Sequence, residues 1–247
     1  MNVERTPLGR RQIGVRFTVL AVLVVVGLTS CWFTAGEPPT VDDLQIRIVP
    51  SPVMDEVQSS EVNTYDSLAA IDWTDFLFGI AEEANTFVQV ALEDWTVDSE
   101  GTFTATVGPY EIEVTWSASD TEWVWSFEFP YGESVLAVEV VAISVEGGWD
   151  LLITADSETV ADGFIAEDNG EVAVTYGGIT YTASWGPATD APMAYDHRFE
   201  AYQLNGSGDE VAGFVVEYTD DGSAGTWSFF DLGNQIDQNG FWPEIPQ

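Results

Sequence analysis

The side chains able to do chemistry are few in kind. Cys31 is the only cysteine in the chain, His197 the only histidine, and all six basic residues are arginine. A Ser-His-Asp arrangement meets in space rather than in sequence, but no serine elbow motif accompanies His197, and its neighbours Asp196 and Arg198 point to the opposite face if 195–201 is a strand. The ordinary reading of His197 is a hydrogen-bonded core or pocket histidine. One histidine and one thiol do not make a zinc site. Calcium takes carboxylate and carbonyl oxygens, which the acidic turns 98–101, 167–171 and 220–222 offer, yet none completes an EF-hand loop. Calcium is therefore at most a weak partner, and no cofactor or dedicated metal site is expected. Carboxylate pairs for glycoside hydrolysis carry no signal, because so acidic a chain brings some pair together by chance. The aromatic residues are more informative. Trp116, Trp123, Trp125 and Trp185 share one strand parity with Tyr195 and His197, which makes them either a large core or the lining of a cavity for an apolar ligand or a stacked sugar.

The elements that must position these residues are mostly strands. Residues 98–116 and 167–185, offset by 69, each consist of two alternating runs around a two-residue turn, Gly108-Pro109 or Gly177-Gly178. Glycine supplies the positive φ of a tight hairpin. Val107 then faces Tyr110, and Tyr176 faces Ile179. Counting outward by twos collects Phe103, Ala105, Ile112, Val114 and Trp116 on one face, matched by Val172, Val174, Tyr181, Ala183 and Trp185. In the strand that follows, an offset of 72 aligns Trp123, Trp125, Phe127 and Phe129 with Tyr195, His197, Phe199 and Ala201. The run 135–145 is nearly continuously apolar and suits a strand covered on both faces. Upstream, Trp73, Phe76, Leu77, Ile80, Ala84, Phe87, Val88 and Ala91 recur at helical spacing, predicting one helix over 68–90 that packs on the sheet. The expected fold is mainly β: an antiparallel meander of about ten strands closing as a barrel, half-barrel or two packed sheets. An N-terminal helix and an internal duplication, units 93–155 and 162–232, complete it.

Composition bounds the partners. Across 247 residues, 45% hydrophobic content with ten Trp belongs to a chain that buries a core. The formal charge is −36, and from Cys31 onward 41 acids face only Arg47 and Arg198. Such a surface repels phosphate backbones, so nucleic acid is excluded as a partner. It suits solubility in concentrated salt, where screening removes self-repulsion.

The first thirty residues read as an export signal. Arg5, Arg10, Arg11 and Arg16 precede the apolar run 17–28, which is short for a membrane span and right for a signal-peptide core. The run ends in Leu28-Thr29-Ser30-Cys31, and this ending resembles the lipobox of bacterial lipoproteins. The resemblance implies cleavage before Cys31, diacylglycerol on its sulfur and further acylation of the new amino terminus, including palmitate. Two or more acyl chains anchor firmly where one does not. Trp32 after the cysteine favours an outer-membrane or cell-surface address over the inner membrane. The Arg10-Arg11 pair raises a minor twin-arginine alternative. The domain plan is then signal peptide 1–30, acidic proline-broken tether 31–66, and β domain 67–247, with 44–49 an optional edge strand.

The functional expectation is a lipid-anchored envelope or surface protein, not an enzyme, that binds an apolar or other small ligand or an envelope protein. At the level of architecture it resembles lipoprotein-carrier half-barrels. The alternatives are a carboxylate-based secreted hydrolase and a purely structural envelope protein.

Overall fold

A computed structural model describes residues 38–60, 65–93, 100–188 and 195–242. The segment expected as an export signal and Cys31 lie outside the described residues. Alternation of apolar and polar side chains becomes twelve antiparallel strands: β1 (Glu100–Val107), β2 (Tyr110–Ala118), β3 (Glu122–Tyr131), β4 (Ser134–Val145), β5 (Gly148–Ala155), β6 (Glu158–Ile165), β7 (Gly170–Tyr176), β8 (Ile179–Pro187), β9 (His197–Leu204), β10 (Glu210–Tyr218), β11 (Gly225–Asp231) and β12 (Ile236–Trp242). They form one sheet in sequence order, each strand paired only with its chain neighbours, so β1 and β12 remain edges and no barrel closes. Among the described residues three helices precede the sheet: α1 (Val41–Leu44), α2 (Ser51–Ser60) and α3 (Tyr65–Leu92).

The two sequence hairpins are β1–β2 and β7–β8, and their registers are the expected ones. Val107 pairs with Tyr110 and Phe103 with Val114 in the first; Tyr176 pairs with Ile179 and Val172 with Ala183 in the second. Gly108 and Gly177 both have φ +58°, as tight turns between right-twisted strands demand. The hairpins open two consecutive six-strand runs, not five-strand ones. In each run the sixth strand, β6 or β12, is the one that alternation in the sequence does not disclose. Pairing also moves the correspondence of the following strands by two residues. Trp116 pairs with Trp125, whereas Trp185 pairs with Phe199, so Phe199 rather than His197 stands where Trp125 does. The physical reason is the nine-residue connection 188–196, against three residues at 119–121, which brings β9 in further along its partner.

Two pairs in these hairpins explain the matching glycines. Gly101 lies opposite Trp116 and Gly170 opposite Trp185. A Cβ on Gly101 would sit 2.7 Å from Trp116 Nε1, and one on Gly170 would sit 2.2 Å from Trp185 Cζ2. The indole ring is accommodated by folding over a bare backbone on the neighbouring strand. The same device recurs where Gly240 faces Trp227 and Gly225 faces Trp242.

Helix α3 fills the concave side. It touches β1, β2, β4, β7 and β12, strands from both edges and the middle, so the sheet curls around it. Phe87 meets Phe129 edge-on at 5.1 Å, Phe78 meets Phe199 at 5.8 Å, and Trp73 meets Phe229 at 5.8 Å. Each buried Phe or Leu contributes roughly 1.5–3 kcal/mol. Phe76 departs from the expected stripe: it is 45% exposed and leans on the Tyr176 ring at 5.7 Å.

Part of the segment 31–66 expected as a tether contributes to the core. Leu44, Ile46, Val49, Val53 and Val57 are all buried. Thr40 and Asp43 form a reciprocal capping box that starts α1. Ile46 then crosses the outer side of α3, where the buried Asn85 holds it: Asn85 Oδ1 accepts from Ile46 N at 2.8 Å and Nδ2 donates to Ile46 O at 2.9 Å. One side-chain amide thus replaces a strand neighbour for Ile46, and 45–49, expected as part of an edge strand, lies outside the sheet while Leu44 ends α1.

The β4 run is covered on its inner face by the core. Its outer residues Val141 and Ile143 stay half-buried beside Leu152 and Phe164 in a hollow of about 470 Å³ on the convex side.

Candidate functional site

An up-and-down meander sends alternate turns to opposite ends, and the two ends differ in chemistry. At the end holding the β6–β7 and β10–β11 turns, a cleft of about 710 Å³ opens between residues 45–50, one face of α3 and strands β8–β10. Glu82, Asn85, Thr86 and Gln89 line it from the helix, and Gln45, Ile46, Arg47, Ile48 and Pro50 from the crossing segment. The sheet contributes Trp185, Gly186, His197, Arg198, Phe199 and Tyr218, with Asp168 and Asp220 from the turns.

Every basic side chain after residue 30 therefore meets in one place: Arg47, His197 and Arg198 are the only Arg, Lys or His residues there. Each is held differently. His197 Nε2 lies 2.7 Å from Asp220 Oδ1, and its ring stacks obliquely on Tyr218 at 5.1 Å. Arg198 donates to Glu200 beside it on β9 and to Glu217 opposite it on β10. The Glu200 bond holds the guanidinium pKa above its ordinary value; partial burial opposes this and the Glu217 bond adds to it. Burial works against the Glu200 carboxylate, but the bonds from Arg198 and the Tyr202 hydroxyl outweigh it and leave its pKa lowered. Arg47 donates to the carbonyl of Glu167 in the β6–β7 turn. Among the described residues it has no carboxylate within ion-pair distance. Burial raises the pKa of the Tyr218 phenol, while nearby Arg47 opposes that.

Of the residues expected to face a ligand, only Trp185 and His197 line this cleft. Trp116, Trp123 and Trp125 are at most 5% exposed and belong to the packed core. Trp123 instead packs edge-on against Trp149 at 5.3 Å. Their shared parity reflects the inner face of the sheet, and α3 occupies the space that a barrel would leave open. Tyr195 is half-buried just before β9 and does not line the cleft. Trp185 is itself 8% exposed, and its Nε1 has no hydrogen-bond partner.

Arg47, Arg198, Asn85 and Tyr218 are the cleft residues that motif reasoning passed over. The signal for the two arginines was their rarity; nothing local marks Asn85, whose role depends on a segment 39 residues away. Among the described residues no serine or cysteine lines the cleft, and the hydroxyl of Thr86 donates to the helix carbonyl of Glu82. Among the described residues no group of three or more His, Cys, Asp or Glu is placed to hold a metal ion, and no helix is long and apolar enough to cross a membrane.

The opposite end carries exposed aromatics. Tyr110, Tyr131 and Tyr176, all 45–49% exposed, sit at the tips of the β1–β2, β3–β4 and β7–β8 hairpins.

Fold and site together define an antiparallel β meander curled around one helix, with a polar cleft at one end. Comparison with protein-family models, curated proteins and solved structures finds no match to this chain.

Proposed function

We propose that this protein is an exported, lipid-anchored envelope or surface protein that binds a small polar ligand in the cleft between residues 45–50, α3 and β8–β10, without transforming it. The observation that carries the reading is the convergence of Arg47, His197 and Arg198 on that cleft in a chain that has no other Arg, Lys or His after residue 30. The anchor rests on Leu28-Thr29-Ser30-Cys31 and the apolar run before it. A polar ligand is favoured over an apolar one because charged and amide side chains outnumber apolar ones in the lining. A binding role is favoured over catalysis because the side-chain partner of His197 is the Asp220 carboxylate and, among the described residues, no serine lines the cleft.

The test is a thermal-shift screen of polar metabolites at molar salt on the full chain and on Gln89→Trp, a substitution that fills the cleft from an exposed helix position. Ligands that protect the parent and not the variant support the reading. Equal protection of both moves the site elsewhere, and turnover of a glycoside during the screen favours a hydrolase.

A second reading, docking of an envelope protein, is favoured by the three exposed tyrosines at the hairpin tips. Substituting all three by serine abolishes cross-linking to a partner if this reading holds.

A further inference from the structure

The charge arrangement of the cleft narrows the ligand class, an inference that rests on the cleft being a ligand site. Three carboxylates, Glu82, Asp168 and Asp220, share the lining with the cations. Arg198 is matched by Glu200 and Glu217, and His197 by Asp220, whereas Arg47 meets, among the described residues, only a carbonyl. A guanidinium has five N–H donors, so Arg47 keeps several for an incoming acceptor. We infer that the cleft takes a net-neutral zwitterion, its carboxylate on Arg47 and its ammonium on one of the lining carboxylates Glu82, Asp168 or Asp220.

Long-range and short-range electrostatics agree on this choice. The exported part carries a formal charge of about −39, from 41 acids and two arginines. A net anion is repelled on approach, a repulsion that salt progressively screens. A free cation is attracted everywhere on this surface and gains little selectivity from one cleft. A zwitterion is neutral at a distance and finds both of its partners only where the chain sets a cation with unused donors among carboxylates. Among the described residues that place is beside Arg47. The half-buried Tyr218 ring lines the same cleft and offers an aromatic surface to an ammonium group.

The experiment is ligand-observed NMR on the full chain in detergent at molar potassium chloride. Alanine, γ-aminobutyrate and ε-aminocaproate sample increasing charge separation, with butyrate and butylamine as single-charge controls. The expected result is saturation transfer to at least one zwitterion, at least tenfold tighter binding than either control, and a tenfold or greater loss in Arg47→Gln that Arg47→Lys partly restores. Controls binding as tightly as the zwitterions, or no zwitterion binding, overturn the inference. The probe comparison on the unsubstituted chain stands even if Arg47→Gln misfolds. If the metabolite screen yields cleft ligands that are not zwitterions, this inference falls and the binding role stands; if nothing binds in the cleft, both fall.

Discussion

Gly170 and Trp185 face each other across β7 and β8, and the indole lies where a side chain on residue 170 would have to be. Gly101 and Trp116 repeat the relationship six strands earlier. Gly170→Ala therefore forces the ring or the strand to move and is expected to destabilise the protein by about 1–3 kcal/mol, the usual cost of overpacking. Gly79, with open space around it, is the control, where alanine stabilises the helix by up to about 1 kcal/mol. Denaturant midpoints of the two variants check the contrast; equal midpoints would show that the pair is incidental.

Asn85→Ala leaves the amide and carbonyl of Ile46 buried without their partner. The expected loss is about 2–4 kcal/mol, from about 1–3 kcal/mol for each unsatisfied group. Hydrogen exchange at Ile46 N–H, fast in the variant and slow in the parent, distinguishes this local release from general loosening.

Ser157 and Asp156 both turn with positive φ, +69° and +51°, in the β5–β6 hairpin. Ser157→Gly removes a steric cost and adds some unfolded-chain entropy, for a net gain of about 0.5–1 kcal/mol. A thermal midpoint that falls would contradict the turn geometry.

Asp221 is held at a pKa of about 2 by the Ser223 hydroxyl and backbone N–H, with Thr219 adding to the effect. The folded value lies below the unfolded one, about 3.9. Its contribution to stability is therefore present above about pH 4 and is lost as pH falls toward 2. Carboxyl carbon shifts should report a midpoint near 2 in the folded chain, and Asp221→Asn should flatten the acid limb of the stability profile in that window. A midpoint near 4 refutes the network.

Two outcomes follow from sequence alone. A fatty-acid analogue should label the parent and leave Cys31→Ser unlabelled; labelling of both would remove the anchor. The unfolding midpoint should rise between low and molar salt, as the screening length falls from about 10 Å at 0.1 M to about 3 Å at 1 M. A flat midpoint would mean that self-repulsion among the acids does not govern stability.

Alternation, β-branched content and Gly-containing turns made both hairpins legible down to their residue pairs, since a strand's period of two leaves one register that buries Val114 with Trp116 and Ala183 with Trp185. The helix was legible for the same reason at its own period. β6 and β12 were not: Asp162, Gly163, Asp237, Gln238, Asn239 and Gly240 give weak alternation, and the turn before β6 has no glycine. Those strands exist because β5 and β11 each present an open edge, and an edge is a property of the assembled sheet. The cleft is likewise tertiary. Composition determined that Arg47, His197 and Arg198 are scarce, but only the curl of the sheet around α3, and the amide of Asn85 holding Ile46 beside that helix, put Arg47 in one cleft with His197 and Arg198 of β9. Local periodicity encodes which face a side chain takes; it does not encode which distant faces meet.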